Sequence, residues 1–172
     1  MEKKYKLVKD DTIKFDRTLY RIKALRDFGI VKAGDLGGYI EKEENLSHYG
    51  NCWVFSDASV YGNAQVRDNA EVYGNAEVFG NALLFGNAQV RGDAYISSDN
   101  DYATVHGFGS MNRATTFFRL KDSKDIGVRC GCFYGTLEEF RNKVNERHWE
   151  TDIAKEYLLI IEAIEIRFKR LS

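Results

Sequence analysis

The chain has 172 residues, 44% hydrophobic and 30% charged, with a net charge of −1, enough for one good core or two small ones sharing an interface. This balance offers no basic footprint for nucleic acid or an acidic membrane surface, and no apolar run approaches the ~20 residues that span a bilayer. "MEKKYKLVKDD" at the N-terminus has basic residues without an apolar stretch behind them, so it does not read as a secretory signal. Three cysteines argue against a disulfide framework and for a reducing, cytoplasmic setting.

Charge is uneven along the chain. Residues 1–47 carry 11 Lys and Arg against 9 Asp and Glu, and residues 102–172 carry 12 against 10, whereas 48–101 carry only Arg67 and Arg91 against seven acids. The chain therefore divides into an N-terminal β cap over 1–47, a repeat zone over 48–107 and an α+β module over 108–172.

In the first segment, "TIKF" and "TLYRIKAL" flank Asp16-Arg17 and predict a hairpin of β-branched and aromatic residues. Gly34 and the Gly37-Gly38 pair are expected to turn the chain into the repeats.

From residue 48 the sequence reads in sixes: HYGNCW, VFSDAS, VYGNAQ, VRDNAE, VYGNAE, VFGNAL, LFGNAQ, VRGDAY, ISSDND. The first slot is aliphatic from Val54 to Ile96, the fourth is Asn or Asp, and the fifth is Ala from Ala58 to Ala94. A helix needs apolar spacing near 3.6, and a simple amphipathic strand needs unbroken alternation, so neither fits. A triangular solenoid does, with one short strand and one corner per hexad and three hexads per coil. The aliphatic slot fills the interior, while Gly, Asn and Asp form corners in left-handed backbone. Stacked corners predict amide ladders such as Asn51, Asn69 and Asn87. His48, in the first slot of its hexad, is expected to point inward.

The C-terminal part changes period. "ATTFFRL", a polar "KDSKD" turn and "IGVRCGCF" predict a second hairpin. Thr136 with Glu139 forms a capping box for a helix over 137–147. Asp152 is the expected N-cap of a last helix, with Ile153, Tyr157, Ile160, Ile161, Ile164 and Phe168 on one face.

The repeats resemble the left-handed parallel β-helix of hexapeptide-repeat proteins. The fold class is thus mainly β, a solenoid capped by an N-terminal hairpin and by a C-terminal hairpin with two helices. The flanks "TLYRIKALRDFG", "VKAGDLGGYIEKEENLSHYGNCWV" and "GVRCGCFYGTLEEF" further resemble bacterial and phage- or prophage-encoded hexapeptide proteins of unknown function, often labelled putative transferases. That resemblance implies the fold and a phage context but supplies no mechanism.

A hexapeptide acyltransferase using acetyl-coenzyme A needs a general base, usually His, and a loop that covers the substrate. Of His48, His106 and His148, His106 in "ATVHGFGS" is the best candidate base. A polar loop residue at a domain junction is the blander reading of His106. His148 reads as a helix C-terminal residue. No hexad is interrupted, so no active-site loop leaves the coils. Cys130 and Cys132 form C-x-C, which alternation would place on one face of a strand. No second ligand pair follows, so buried reduced thiols are expected and neither metal nor cofactor is assigned.

The second slot of each hexad points outward and is unexpectedly aromatic. Sorted by wall, the residues are Tyr49, Arg67 and Phe85; Phe55, Tyr73 and Arg91; Tyr61, Phe79 and Ser97. Exposed aromatics beside Arg match the residue types of binding hot spots. The expectation is a non-enzymatic binding scaffold using Tyr61, Phe79, Phe55, Tyr73, Arg91, Arg67 and Phe85. Its partner would be a protein, such as a host defence component that it inhibits or sequesters, or a further copy of itself, often a trimer in this fold. Acyl transfer and a self-assembling structural role stand as alternatives, and a small-molecule ligand stays open.

Overall fold

In the structure, a computed structural model, residues 2–14 and 16–171 are described. Phe15 of the expected hairpin lies outside them. The chain opens with β1 (Tyr5–Lys14), β2 (Thr18–Ala24) and β3 (Leu36–Ile40), antiparallel neighbours in that order. Eight two-residue strands follow among the described residues: β4 (Trp53–Val54), β5 (Ser59–Val60), β6 (Gln65–Val66), β7 (Glu71–Val72), β8 (Glu77–Val78), β9 (Leu83–Leu84), β10 (Gln89–Val90) and β11 (Tyr95–Ile96). They pair in parallel at a separation of eighteen residues, Val54 with Val72, Val60 with Val78 and Val66 with Leu84. The result is a parallel β-helix with three walls: β3-β5-β8-β11, β4-β7-β10 and β6-β9.

The hexad chemistry accounts for this shape. Val54, Val60, Val66, Val72, Val78, Leu84, Val90 and Ile96 are all fully buried, and the alanines of the fifth slot line the same interior. Every third-slot residue from Gly50 to Gly92 has positive φ, including Ser56 and Asp68. The corner is therefore made at the residue before the Asn or Asp. Stacked corner amides bond along the axis, Asn63 to Asn81 and Asn69 to Asn87 at 3.2 Å and Asn75 to Asp93 at 3.3 Å.

The start of the prism departs from the sequence register. Leu46, not His48, sits beneath Val66, and Ile40 sits beneath Val60, each with twenty residues of separation. Two surplus residues are accommodated between Ser47 and Trp53. An imidazole in the apolar interior would leave its nitrogens without partners, so the isobutyl group of Leu46 takes that place. His48 instead stacks on Tyr5, with centroids 4.4 Å apart. Tyr49 consequently does not stand beneath Arg67; Ser47 does, its N–H donating to Val66 O at 2.9 Å. Gly37 and Gly38 do not turn the chain. They lie inside β3 because a Cβ would fall 2.6 Å from Ile22 Cγ1 and 2.3 Å from Ala58 O, respectively.

Both open ends of the prism are closed by side chains. At the first coil, backbone carbonyls receive donors: Lys4 Nζ to Cys52 O at 2.8 Å, Tyr5 OH to Leu46 O at 2.7 Å and Asn45 Nδ2 to Ala64 O at 2.8 Å. At the last coil, backbone N–H groups find acceptors: Leu83 N to Asp99 Oδ1 at 2.7 Å, Gln89 N to Thr116 Oγ1 at 3.0 Å and Ser97 N to Asp101 Oδ2 at 2.9 Å. Burial works to raise the Asp101 pKa, but hydrogen bonds from Ser97 and Ser98 outweigh it and hold the carboxyl below its usual range. An unpaired sheet edge is thus avoided at each end.

Beyond the prism, β12 (Tyr102–Phe108), β13 (Arg113–Arg119), β14 (Ile126–Cys130) and β15 (Phe133–Thr136) form an antiparallel sheet in that order. The expected hairpin is β13-β14, and an outer strand joins it on each side. Helix α1 (Leu137–His148) starts at the Thr136–Glu139 capping box. Helix α2 (Asp152–Arg170) is capped by Thr151, whose hydroxyl accepts from Ala154 N, so Asp152 is the first helical residue and not the cap. The module packs directly on the last coil. Alternation along β13 sends Phe118 into the solenoid core and Phe117 into the core beneath α1 and α2. Among the described residues, no helix is long and apolar enough to cross a membrane.

Candidate functional site

The outward aromatics form two internal stacks. On the β4-β7-β10 wall, Phe55 and Tyr73 lie nearly parallel, and the Arg91 guanidinium covers the other face of Tyr73 at 4.0 Å. Gln89 on this wall accepts from Arg129 of β14 at 3.2 Å, so the module reaches its upper end. Burial, with Glu71 nearby, holds Tyr73 protonated well above its ordinary pKa. Arg129 is pushed down by burial and then by the neighbouring Arg91.

On the β5-β8-β11 wall, Tyr61 stacks on Phe79 at 5.3 Å, and Phe79 meets Tyr95 at 4.7 Å. Arg17 from the hairpin region covers Tyr61 at 5.0 Å, and Tyr61 OH donates to Glu77 at 2.9 Å. Burial first and Glu77 second raise the Tyr61 pKa. A shallow cavity of about 320 Å³ here is lined by Arg17, Asp57, Tyr61, Glu77 and Lys121. Five of the seven candidate residues (Phe55, Tyr73, Arg91, Tyr61 and Phe79) are therefore half-buried by one another.

The β6-β9 wall is different. Arg67, just past β6, is exposed and donates to Gln65 of that strand. Phe85 is 54% exposed and no ring stacks on it among the described residues. The reason is topological. Each of the other two walls continues into a third repeat strand, but here the chain leaves the spiral at Tyr102 to enter β12. The space above Phe85 becomes a cleft of about 590 Å³, lined by Phe85, Asn87, Tyr102, Thr104, His106 and Arg167 among others. Tyr102 OH donates to Leu83 O at 2.6 Å, and burial followed by the nearby Asp99 pushes its pKa up to about 12. Arg167 Nη2 donates to Asp99 O at 3.2 Å.

His106 therefore lies on β12 at the edge of this cleft, exposed, rather than in a loop. Among the described residues no carboxylate or hydroxyl hydrogen-bonds its ring. His48 accepts from Lys4 N at 3.2 Å through Nδ1, and His148 ends α1. Cys130 and Cys132 do not share a strand face. Cys130 ends β14, while Cys132 sits exposed in the turn after Gly131, where φ is positive. Cys52 is the buried thiol, and burial pushes its pKa up against the opposing charge of Lys4. The different surroundings of Phe85 and the stacked aromatics could not be read from the repeat, because they depend on where the chain exits. The last regular hexad before "DYATVH" was the available signal.

No family model matches the chain. Over 51 residues, 30% of this chain, it is 37% identical to the uncharacterized acetyltransferase YdcK of Escherichia coli (strain K12). That match spans 16% of the relative's length. With the parallel β-helix, this similarity fits hexapeptide-repeat β-helix proteins.

Proposed function

We propose that the chain is a non-enzymatic binding scaffold whose principal contact surface is the β6-β9 wall, centred on Phe85 with Arg67 beside it and the cleft above. The supporting observation is the contrast between walls. Phe55, Tyr73, Arg91, Tyr61 and Phe79 are engaged within the chain, whereas Phe85 presents an exposed, unstacked ring to the cleft of about 590 Å³ that it lines. A large aromatic group at the edge of a concave apolar surface is the kind of anchor that binding hot spots use. The resemblance of the flanks to phage and prophage proteins supports a bacterial host protein as the partner, held or inhibited by this wall. Immobilised wild-type protein is expected to retain a defined host protein that Phe85→Glu loses, with the two forms equally folded by circular dichroism. Equal retention by both would remove Phe85 from the binding surface.

A second reading rests on the similarity to an acetyltransferase and on the position of His106 beside the same cleft. Acetyl transfer from acetyl-coenzyme A, abolished by His106→Ala, would establish it and overturn the first.

A further inference from the structure

A second cleft, of about 410 Å³, lies wholly within the C-terminal module between the β14-β15 turn and the helices. Its lining joins two kinds of chemistry. The floor is aromatic: Phe140 meets Tyr157 edge-on at 5.5 Å and Phe133 at 5.2 Å. The rim is cationic, with Arg113, Lys143 and Arg147, and no carboxylate is among the lining residues. Elsewhere in this part of the chain the signs are nearly balanced, so the segregation is local.

Lys143 has a partner, Glu146 at 3.0 Å. Arg113 and Arg147 have no ion pair or hydrogen bond among the described residues. Lys143 and Arg147 stand one helical turn apart, where like charges repel. The dipole of α1 accounts for Arg147 and His148 in its last turn. It does not account for Arg113, which arrives from β13 with its guanidinium against Gly131; a Cβ on that glycine would lie 2.6 Å from Nη1. The Tyr157 hydroxyl lies 3.7 Å from Cys130 Sγ, where either group can donate to the other.

From this geometry we infer that the cleft binds a phosphate monoester carrying an aromatic ring, of the mononucleotide class. The ring would lie against Phe133, Phe140 and Tyr157, and the dianion would draw on Arg113, Arg147 and Lys143. Two unpaired guanidiniums, with Lys143 beside them, suit a doubly charged phosphate better than a single carboxylate. The cavity volume falls within the few hundred Å³ usual for such ligands. This site is separate from the Phe85 wall and stands or falls without it.

Adenosine 5′-monophosphate, adenosine and inorganic phosphate, titrated calorimetrically into the intact protein at low salt, test the inference. The monophosphate should bind, and both fragments should bind at least ~tenfold more weakly, because each keeps only one of the two recognition elements. Arg113→Ala with Arg147→Ala should weaken the monophosphate by ~tenfold or more with circular dichroism unchanged. In parallel, the monophosphate should slow alkylation of Cys132 by iodoacetamide, since that thiol lines the cleft. No heat and no thiol protection at millimolar monophosphate would overturn the inference. Adenosine binding as tightly as its phosphate, or the double variant binding like wild type, would do the same.

Discussion

The rings of Phe55 and Tyr73 lie one coil apart with 4.2 Å between centroids and 3° between planes. Eighteen residues of sequence thus become a face-to-face contact. Stacked pairs of this kind contribute about 0.5–1.5 kcal/mol beyond area burial. A double-mutant cycle of Phe55→Ala and Tyr73→Ala, followed by denaturant unfolding, should return a coupling energy in that range. A coupling near zero would mean that the two rings share a wall without supporting each other. Tyr73→Glu should accordingly act first on stability, whatever it does to assembly.

Gly50 and Gly86 occupy equivalent corners, both with positive φ, but in different surroundings. A Cβ at Gly86 meets nothing within 4 Å, whereas one at Gly50 would stand 2.1 Å from Asp68 O. Gly86→Ala should therefore lose only the left-handed backbone penalty, about 1–2 kcal/mol. Gly50→Ala adds a collision with backbone and should lose clearly more. The reverse substitution, Ser56→Gly, should stabilise by roughly 1 kcal/mol, since Ser56 already sits at φ 56°. Thermal unfolding of the three variants checks the order.

Asn45 is fully buried and joins three backbone groups of the first coil: Lys42 N donates to Oδ1 at 2.9 Å, and Nδ2 donates to Gly62 O and Ala64 O. Asn45→Leu keeps the volume and abandons all three. Stranded buried polar groups cost about 1–3 kcal/mol each before relaxation, so a loss on the order of 3 kcal/mol is expected. That corresponds to a fall in Tm of about 6–12 °C for a chain of this size. A Tm within a degree or two of wild type would show that water reaches this edge.

His48 supplies a pH dependence. Burial depresses its pKa below the ordinary imidazole value, more strongly than Glu43, 3.8 Å from Nε2, raises it. Nδ1 accepts from Lys4 N, a bond that needs the neutral ring. The unfolded chain then binds a proton at higher pH than the folded one. The stabilisation is complete above the unfolded pKa of about 6.5 and declines as pH falls from there through the folded value. Unfolding free energy measured from pH 8 to pH 5 should drop across that window in wild type, and the drop should shrink in His48→Gln. An unchanged slope in the variant would assign the effect to other groups.

What could be read in advance was whatever the repeat enforces. Val54 to Ile96 and Ala58 to Ala94 declare their positions because one small and one aliphatic slot per hexad leave a single closed packing. The register failed where the pattern was weakest, at His48, since a non-aliphatic first slot permits a neighbour two residues away to take the interior. β12 and β15 were missed because their pairing depends on β13 and β14 and not on their own alternation; "FYGT" contains a glycine and "YATVHGF" mixes polar with apolar. Cys132 belongs to the two-residue turn that follows Cys130, which a C-x-C spacing does not reveal. The site was least legible of all. Phe85 and Phe79 are both second-slot aromatics, one bare and one covered, and only the exit of the chain at Tyr102 distinguishes them.

The two sets of end-closing side chains touch only the outermost coils, and every coil hands the next the same backbone edge eighteen residues later. Prism length is therefore a free variable of the design. Inserting one whole coil, such as a second copy of residues 66–83, would leave Lys4, Tyr5 and Asn45 at one end and Asp99, Asp101 and Thr116 at the other with partners of the same kind. Inserting a single hexad would instead swing the C-terminal module round by one wall. Placed upstream of Leu83, it would leave Asp99 on Leu83 N and Thr116 on Gln89 N, but it would carry Lys121 away from the Arg17 side of the cavity that the two now share. Growth by three hexads keeps the two ends facing each other as they do now, and growth by one turns them a wall apart.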